Sequence, residues 1–520
     1  MRRVIYLSSF FAIAVSAPSA LGQYINGYAV ANHRACSASN LPATITELDK
    51  FFASRYFPLD TQKNVYYRDA AVNATHWASS TDMFESSAAA SGFDGADAPL
   101  ISYIASHGVT SSAKYTALAG GSAGGCNIRT TGMAAGDHNA RYFVLSTCQG
   151  LKIGTGSNPG SSGDNPSVTW KDANKGLNCI FGYSNNMVDA SEYGNYFLEN
   201  LATSDETLAQ AFMRASRRIS SSNIPAVLCF GADNAAAKEH LETSKRFTSD
   251  RVGSGGSSWT YTRAKRVEGV FDAAQIKSRK AVPRVIKSRP VVPNGQKTAS
   301  SFLGPKFQDQ SVSGTLHVYR TASGTVTVNR ENGFFSWVKA ARPEGTQEMK
   351  LDDAAAVRVA RAYLANRSFL AEFNEGMATS YVVDRFIGNE TGSELAEKIV
   401  VLSQTLSGVA VLGSAGTVEV TVGAEGEVRA VSGALIDLEK PRLTEWLASG
   451  DINVDRAERT AMAALQRKVP GAKISLIQSL IGFDSGDYSS AGERMRVVAE
   501  VLLEAEEGGF ARRYIERMPL

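Results

Sequence analysis

The chain has 520 residues, with 54 Lys or Arg against 51 Asp or Glu and a formal net charge of +3. That balance excludes capture of nucleic acid or of an anionic membrane by bulk charge. A composition of 43% hydrophobic and 20% charged residues excludes a disordered chain, and the length suits two or three domains.

The first element in chain order is an export signal. Arg2 and Arg3 precede the apolar stretch Val4–Ala17, and Ala20-Leu21-Gly22 makes a small-x-small cleavage site before Gln23. The stretch is shorter than the ~20 apolar residues of a spanning helix. Residues 1–22 are therefore expected to be removed, leaving a secreted or periplasmic protein with no membrane span.

Residues 23–250 read as alternating strands and helices. Expected strands are Tyr24–Val30, Asn64–Tyr67, Ala98–Ala105, Tyr142–Ser146, Asn178–Gly182 and Ala226–Phe230. Several are short, wholly apolar runs, as in strands buried on both faces of a parallel sheet. Expected helices are Leu41–Ser54, with Leu48, Phe51 and Phe52 on one side, and Glu206–Arg218, capped by Ser204. The alternation argues for an α/β layer domain.

Residues 251–310 differ in texture. A cluster of Gly253, Gly255 and Gly256 is followed by Lys265-Arg266, Arg279-Lys280, Lys287 and Arg289, with Pro283, Pro290 and Pro293. This predicts an extended, solvated, basic linker open to proteolysis. Residues 311–520 then run as strands Thr315–Tyr319 and Thr325–Asn329, helix Leu351–Ala365, strands Ala396–Gln404, Thr417–Val422 and Val428–Ser432, helix Asp455–Lys468, and strands Ile474–Leu480 and Met495–Leu503. A helix followed by two strands occurs about twice, which predicts α+β units, each a helix on a small antiparallel sheet.

The five cysteines, Cys36, Cys126, Cys148, Cys179 and Cys229, all lie in the first half. In an oxidising compartment four of them can pair, in any of three ways, and an odd one is left over. Neither a CxxC pair nor a Cys/His cluster with zinc spacing occurs, so neither a metal nor a cofactor is expected.

The sharpest constellation is His107-Gly108 with Cys148-Gln149-Gly150. Each follows an apolar run, LISYIAS and YFVLST. On neighbouring parallel strands both side chains would emerge at the carboxyl edge, where open α/β sheets bind ligands. A cysteine nucleophile needs a base nearby, and His107 can serve as base and then acid. Backbone N–H groups of Gly108 and Cys148 are candidate oxyanion donors. Either motif alone is equally what a turn or a buried strand end looks like.

The order of these motifs resembles the caspase-like cysteine peptidases, the group that includes caspases, legumain, gingipains and clostripain. The caspase signature is Gln-Ala-Cys-(Arg/Gln/Gly)-Gly with a histidine about 50 residues upstream. This chain has Ser146-Thr147-Cys148-Gln149-Gly150, with His107 41 residues before the cysteine. The Cys-Gln-Gly part fits and the Gln-Ala part does not, which argues against aspartate specificity. The resemblance covers about residues 24–245, with looser matches at Trp170, Gly176–Gly182, Tyr193–Leu198 and 206–218. It implies a three-layer α/β domain with a mainly parallel sheet, and hydrolysis of a protein or peptide substrate by a His107–Cys148 dyad.

Two other readings stay open. Gly120-Gly121-Ser122-Ala123-Gly124 matches the G-x-S-x-G elbow of serine hydrolases, although polar Ser111–Thr116 precedes it and a Gly- and Thr-containing stretch follows. If it held, His240 is the first histidine far enough along to serve Ser122. The chain could equally be a non-catalytic exported binding or surface protein on the same scaffold. Asp94 and Asp97 read as turn residues, Asp137-His138 as an incomplete ligand pair, and His33 and His76 as structural. Asn73, Asn366 and Asn389 open glycosylation sequons. In the second half, Gln404–Val411 followed by Thr417–Val422, Gly426 and Val428 is similar to propeptide-type modules of secreted metalloproteases. That likeness implies a region acting on its own catalytic domain.

Overall fold

A computed structural model describes residues 25–54, 65–78, 95–121, 125–154, 164–204, 206–267, 281–313, 315–340, 349–367, 370, 376–439, 446–448, 452–485 and 494–520. The expected export signal, Asp94, Ser122 and the Arg279-Lys280 pair lie outside them. The fold is mixed α/β, with few helices and a large, mostly antiparallel sheet.

Among the described strands, parallel pairing lies in the first half apart from one short contact in the second. It runs β2 (Val65–Arg68), β1 (Ile25–Ala29), β3 (Ile101–Ala105), β7 (Tyr142–Ser146) and β8 (Cys179–Tyr183), each parallel to its neighbour. Between β3 and β7 the chain makes a separate antiparallel sheet of β4 (Gly108–Ser111), β5 (Lys114–Leu118) and β6 (Asn127–Arg129). Strand β9 (Pro225–Gly231) joins β8 antiparallel. The expectation of a mainly parallel sheet is thus corrected: every strand pair beyond β8 in the main sheet, through β9 and the second half, is antiparallel apart from one short contact described below.

Alternation along the strands supplies two cores. Ile101, Tyr103, Val144, Phe181 and Val227 pack on Leu48 and Phe51 of α1 (Thr44–Phe52) and on the helices α3 (Tyr193–Thr203) and α4 (Leu208–Ile219). Ile104, Phe143, Leu145, Ile180 and Leu228 face Tyr115 and Ile128 of the β4–β6 sheet and Trp170 of α2 (Pro166–Trp170). Residues buried on both faces explain why these strands read as unbroken apolar runs. Helix α4 is capped by Thr207, whose hydroxyl accepts from the Gln210 N–H while the Gln210 side chain bonds back, rather than by Ser204 as the sequence suggested. Helix α5 (Asn234–Thr243) starts at Asp233, whose side chain accepts from Ala236 N–H.

The segment expected as a linker holds regular structure instead. Strand β10 (Gly256–Arg266) pairs with β9 on one side and with β17 (Met377–Asn389) on the other, so it carries the sheet into the second half. Trp259, Tyr261 and Thr260 are buried, while Lys265 ion-pairs with Asp384. Its charges read as a solvated run only because their partners lie more than a hundred residues away. The same segment adds β11 (Ala281–Pro283), β12 (Val285–Val291), α6 (Gly295–Leu303) and the start of β13 (Gln308–Ser313).

The second half contains two helix-on-sheet units. In the first, β17, β18 (Gly392–Leu406), β20 (Thr417–Val422), β21 (Val428–Leu438), β16 (Phe335–Lys339), β15 (Gly324–Asn329), β14 (Leu316–Thr321) and β13 follow one another antiparallel. Ala356, Ala360 and Leu364 of α7 (Asp353–Ala365) pack on Val400, Leu402, Val418 and Val420. In the second unit, β23 (Lys473–Asp484), β24 (Arg494–Glu507) and β25 (Phe510–Pro519) form an antiparallel meander under α8 (Val454–Lys468). The units are joined through β12, which pairs with both β21 and β24, and through β19 (Val409–Leu412), which pairs with β18 and makes the short parallel contact with β23. A three-residue strand, β22 (Trp446–Ala448), pairs with β11.

Candidate functional site

Strands β3 and β7 are parallel and in register, with Ala105 opposite Ser146. His107 and Cys148 each lie two residues beyond that pair. They therefore leave neighbouring strands at the same level of the carboxyl edge, as the sequence predicted. The turns that follow are fixed by close contacts. A Cβ on Gly108 would lie 2.6 Å from the Cys148 carbonyl oxygen, so only glycine lets the His107 strand pass this close. Gln149 adopts φ 55°, an uncommon conformation for a non-glycine residue. It is held there by its N–H on the Asn185 carbonyl (3.1 Å), by the Thr110 hydroxyl on its own carbonyl (2.5 Å), and by its amide on Asn186 (3.1 Å).

His107 is fully buried, and its Nε2 lies 2.7 Å from the Ser39 carbonyl. A carbonyl only accepts, so the proton sits on Nε2 and the lone pair on Nδ1. Nδ1 is buried without a partner. The ring packs on His33, with centroids 4.7 Å apart, and His33 itself bonds the Val30 carbonyl through Nε2 at 3.1 Å. Burial drives His107 well below the usual imidazole range, with His33 and Arg512 adding to it, and pushes His33 down to about 4. His33 is thus part of the site, a role the sequence gave no reason to assign.

All five cysteines are among the described residues. Cys36 pairs with Cys126 and Cys179 with Cys229, and Cys148 is the free one. Its Sγ donates to the Ala511 carbonyl at 3.1 Å, and no hydrogen bond joins it to His107. Burial raises the thiol above its ordinary value, opposed by the nearby Arg512 guanidinium. Leu118 N–H donates to the His107 carbonyl across the β4–β5 hairpin. Antiparallel alternation then turns the next N–H, that of Gly108, away from β5 and toward the Cys148 side.

Strand β25 closes the site from above. Residues 510, 512 and 514 share one face of it, by the two-residue period of a strand. Phe510 packs 5.8 Å from the His107 ring, Arg512 Nη1 lies 3.9 Å from the Cys148 sulfur, and the Tyr514 hydroxyl bonds the Asn40 carbonyl at 3.1 Å. Arg513 makes two main-chain bonds to the loop after β8: its N–H to the Met187 carbonyl (3.1 Å) and its carbonyl to Asp189 N–H (2.7 Å). Gly508 and Gly509, both at positive φ, turn the β24–β25 hairpin, and a Cβ on Gly508 would meet the Ser37 carbonyl at 2.2 Å. The hairpin tip thus rests on the loop beside the Cys36–Cys126 disulfide.

Arg512 is fully buried. Nη2 lies 3.7 Å from Asp189 Oδ1, and its Nε and Nη2 have no hydrogen-bond partner. Asp189 is buried too, its Oδ2 accepting from Ala43 N–H at 3.1 Å. Glu47 of α1, also fully buried, accepts from the Tyr103 hydroxyl through Oε1 and leaves Oε2 unpartnered. Burial opposes the Arg512 charge, but Cys148, Asp189, Tyr193 and Glu47 together hold it in place, and burial pushes the Glu47 carboxyl up to about 8.

The remaining candidates lie apart from this edge or outside the described residues. Ser122 is outside the described residues; the described strands before and after its motif, β5 and β6, pair antiparallel. Asp97 closes the loop before β7 by accepting from Gly136 N–H (2.6 Å) and His138 N–H (2.9 Å). His76 completes a capping box with Asn73. One group of metal-ligand type comes together among the described residues, Cys179, Cys229 and His240, but its two sulfurs are bonded to each other.

Residues 31–264 match a family model described as a domain of unknown function, DUF6345. The matched segment covers the site strands and ends within β10. Among solved structures, the chain is similar to an uncharacterized protein from Eubacterium rectale ATCC 33656, determined at 1.45 Å resolution, with 11% sequence identity and a TM-score of 0.31, the match covering 46% of this chain and 83% of that one. No curated protein matches the chain.

Proposed function

We propose that this chain is an exported cysteine peptidase with a caspase-like catalytic domain, held latent by its own C-terminal region. The observation that carries the reading is the pairing of roles at one sheet edge. The single unpaired cysteine and a histidine with a bare Nδ1 leave adjacent parallel strands at the same level. The parallel run β2–β1–β3–β7–β8 and the helices on one of its faces support the caspase-like part of the proposal.

In the closed state both groups are neutral: burial holds the thiol protonated and the imidazole unprotonated. With β25 displaced and a peptide in its place, Cys148 Sγ bonds the scissile carbonyl carbon as His107 Nδ1 takes the thiol proton. The carbonyl π pair moves onto oxygen, where the Gly108 and Cys148 N–H groups stabilise it. Collapse breaks the C–N bond, and the leaving amine takes the proton from Nδ1. Water then attacks the thioester, giving its proton to Nδ1. The acid leaves and the proton returns to sulfur.

The bond nearest the sulfur in the closed state is Ala511–Arg512, but Sγ faces the carbonyl oxygen and donates to it. The carbon is not presented, so the strand acts as a cover and not as a substrate.

The test compares the full chain, an Arg512→Ala variant and Arg512→Ala/Cys148→Ala on a mixed peptide library. The reading expects hydrolysis by the Arg512→Ala chain, far less by the wild type, and none without Cys148. A folded Arg512→Ala chain that cleaves nothing overturns it. A second reading, a non-catalytic exported binding protein, is favoured by the burial that raises the Cys148 thiol. It expects Cys148 to resist thiol-directed peptide probes even in Arg512→Ala.

A further inference from the structure

We infer that the exposed face shared by β12 and β24 is a docking surface for a densely sulfated polysaccharide. The inference rests on the export reading and is independent of the peptidase one.

The sequence concentrates charge here that the whole-chain balance hides. From Ala273 to Gln308 the chain carries no Asp or Glu but eight Lys or Arg, against a net charge of +3 overall. The fold sets a second basic strand beside that stretch. Strands β12 and β24 pair antiparallel, with Ile286 opposite Met495 and both buried in one core. Their neighbours therefore point outward. Lys287 stands directly opposite Arg494, and Arg496 lies two residues along β24 on the same face. All three are exposed, as is Arg284 just before β12. Directly opposed side chains start about 5 Å apart, and two residues along a strand span about 7 Å.

The same strand shows what an answered charge looks like. Arg289, two residues from Lys287 on the same face, stands opposite Asp437 of β21, and its Nε and Nη2 both donate to Asp437 Oδ2, at 2.9 and 2.8 Å. Lys287 meets an arginine instead, and like charges directly opposite each other cost stability. Glu439 donates its N–H to the Lys287 carbonyl, but neither it nor any other carboxylate among the described residues ion-pairs with Lys287, Arg284, Arg494 or Arg496. Repulsion left in place on an exposed face fits a charge that is answered from outside the chain.

The chemistry of the face selects the partner. The exposed large apolar side chains among the described residues are Val168, Val292, Leu476 and Ile477. Val292 lies just past the end of β12, and Leu476 faces Leu503 at the far end of β24. The basic face thus has no apolar core for a protein interface and no wedge for a lipid bilayer. Three of its four unanswered cations are arginines, whose planar forks take the oxygens of an anionic group two at a time. Their close spacing asks for a polymer with more than one charge per sugar, which a sulfated polysaccharide has and a simple uronate chain lacks.

The test titrates the full chain with a heparin oligosaccharide, as a probe of sulfated sugars, at two salt concentrations. Saturable binding is expected, weakened about threefold per neutralised charge by a fourfold rise in salt. Lys287→Ala/Arg494→Ala is expected to weaken it at least about tenfold. Lys297→Ala/Lys306→Ala removes the same charge from exposed positions of the same acid-free stretch and is expected to change it little. Equal losses in the two variants would trace binding to net charge and overturn the face. Absence of binding by the folded chain overturns the proposal, and so does undiminished binding of fully desulfated heparin. Tighter binding to polyphosphate or to phosphatidylglycerol vesicles overturns the sulfated partner.

A second variant reads the repulsion itself. Arg494→Glu places an acid opposite Lys287, so it is expected to lose heparin binding while raising the melting temperature by about 1 °C or more. A lower melting temperature would show that the opposed cations carry no cost and overturn the argument built on them. None of these readouts uses Cys148, so the peptidase reading stands or falls separately.

Discussion

The Arg512 guanidinium lies 3.9 Å from the Cys148 sulfur although 364 positions separate the two residues in the chain. The contact joins strand β25 to the carboxyl edge of the parallel strands, and it makes the state of the thiol depend on whether β25 stays in place. A cation beside a thiol ordinarily favours the thiolate. Here burial outweighs it, so the cysteine is held protonated and out of reach.

Thiol accounting tests the covalent framework first. The native chain is expected to show almost no reaction with a bulky thiol reagent, because Cys148 is buried under β25. Unfolding without reductant should release one thiol per chain, and peptide mapping should place it at Cys148 with the Cys36–Cys126 and Cys179–Cys229 links intact. Recovery of three thiols, or of Cys148 in a disulfide, would contradict the assignment.

The Arg512–Asp189 pair tests the electrostatics beneath β25. Asp189→Asn leaves a buried guanidinium without the carboxylate 3.7 Å from it, and removing one member of a buried pair costs about 3 kcal/mol. Arg512→Met alone strands Asp189, which can protonate, so its cost should be smaller. In the double variant the losses should not add, with a coupling of about 1 kcal/mol or more. Additive losses in denaturant melts would mean that the two side chains do not interact.

The pH dependence of stability has a sign that Glu47 sets. Its carboxyl ionises near 4.5 when unfolded and is held up to about 8 by burial in the fold. Between those values the folded chain binds a proton that the unfolded chain has lost, so stability falls as pH rises through the window. His33 works the other way: burial holds it down to about 4 against an ordinary 6.5, so it adds stability as pH rises between them. The two oppose each other below pH 6.5. Above it Glu47 acts with Asp97, which burial also raises to about 8. Melting temperature is therefore expected to drop between pH 6.5 and 8.5, and Glu47→Gln should flatten much of that slope. An unchanged slope in Glu47→Gln would remove Glu47 from the account.

Much of the first half was legible because its strands are short and buried on both faces, which leaves apolar runs such as Tyr142–Ser146 with clear ends. That His107 and Cys148 leave one sheet edge at the same level followed from those ends, since β3 and β7 are parallel neighbours in register. Strand β10 was not legible. Its glycines and basic residues look like a linker, and what makes them a strand is pairing with β9 and β17, with Lys265 answered by Asp384. The surroundings of Arg512 were less legible still. Glu47, Asp189 and Arg512 come from three distant segments, and on an edge strand such as β25 an arginine reads as a solvated side chain. His33 read as structural because no local pattern puts its ring against His107. Only the tertiary fold gives these residues a common neighbour.

The hairpin tip offers a way to loosen the cover without substituting His107, Cys148 or Arg512. Gly508 and Gly509 both have positive φ, 62° and 81°, so alanine at either position carries a backbone penalty of about 1 kcal/mol. Their surroundings differ. A Cβ on Gly508 would sit 2.2 Å from the Ser37 carbonyl, whereas one on Gly509 meets nothing within 4 Å. Gly508→Ala must therefore lift the tip from the loop beside Cys36, drawing Phe510 and Arg512 away from His107 and Cys148. Gly509→Ala should leave the tip seated. Cys148 is expected to react with a thiol reagent at least several times faster in Gly508→Ala than in the wild type, and at close to the wild-type rate in Gly509→Ala. Equal acceleration in both would trace the effect to backbone strain in the turn, and no acceleration in either would show that the seat at Ser37 does not hold β25 over the thiol.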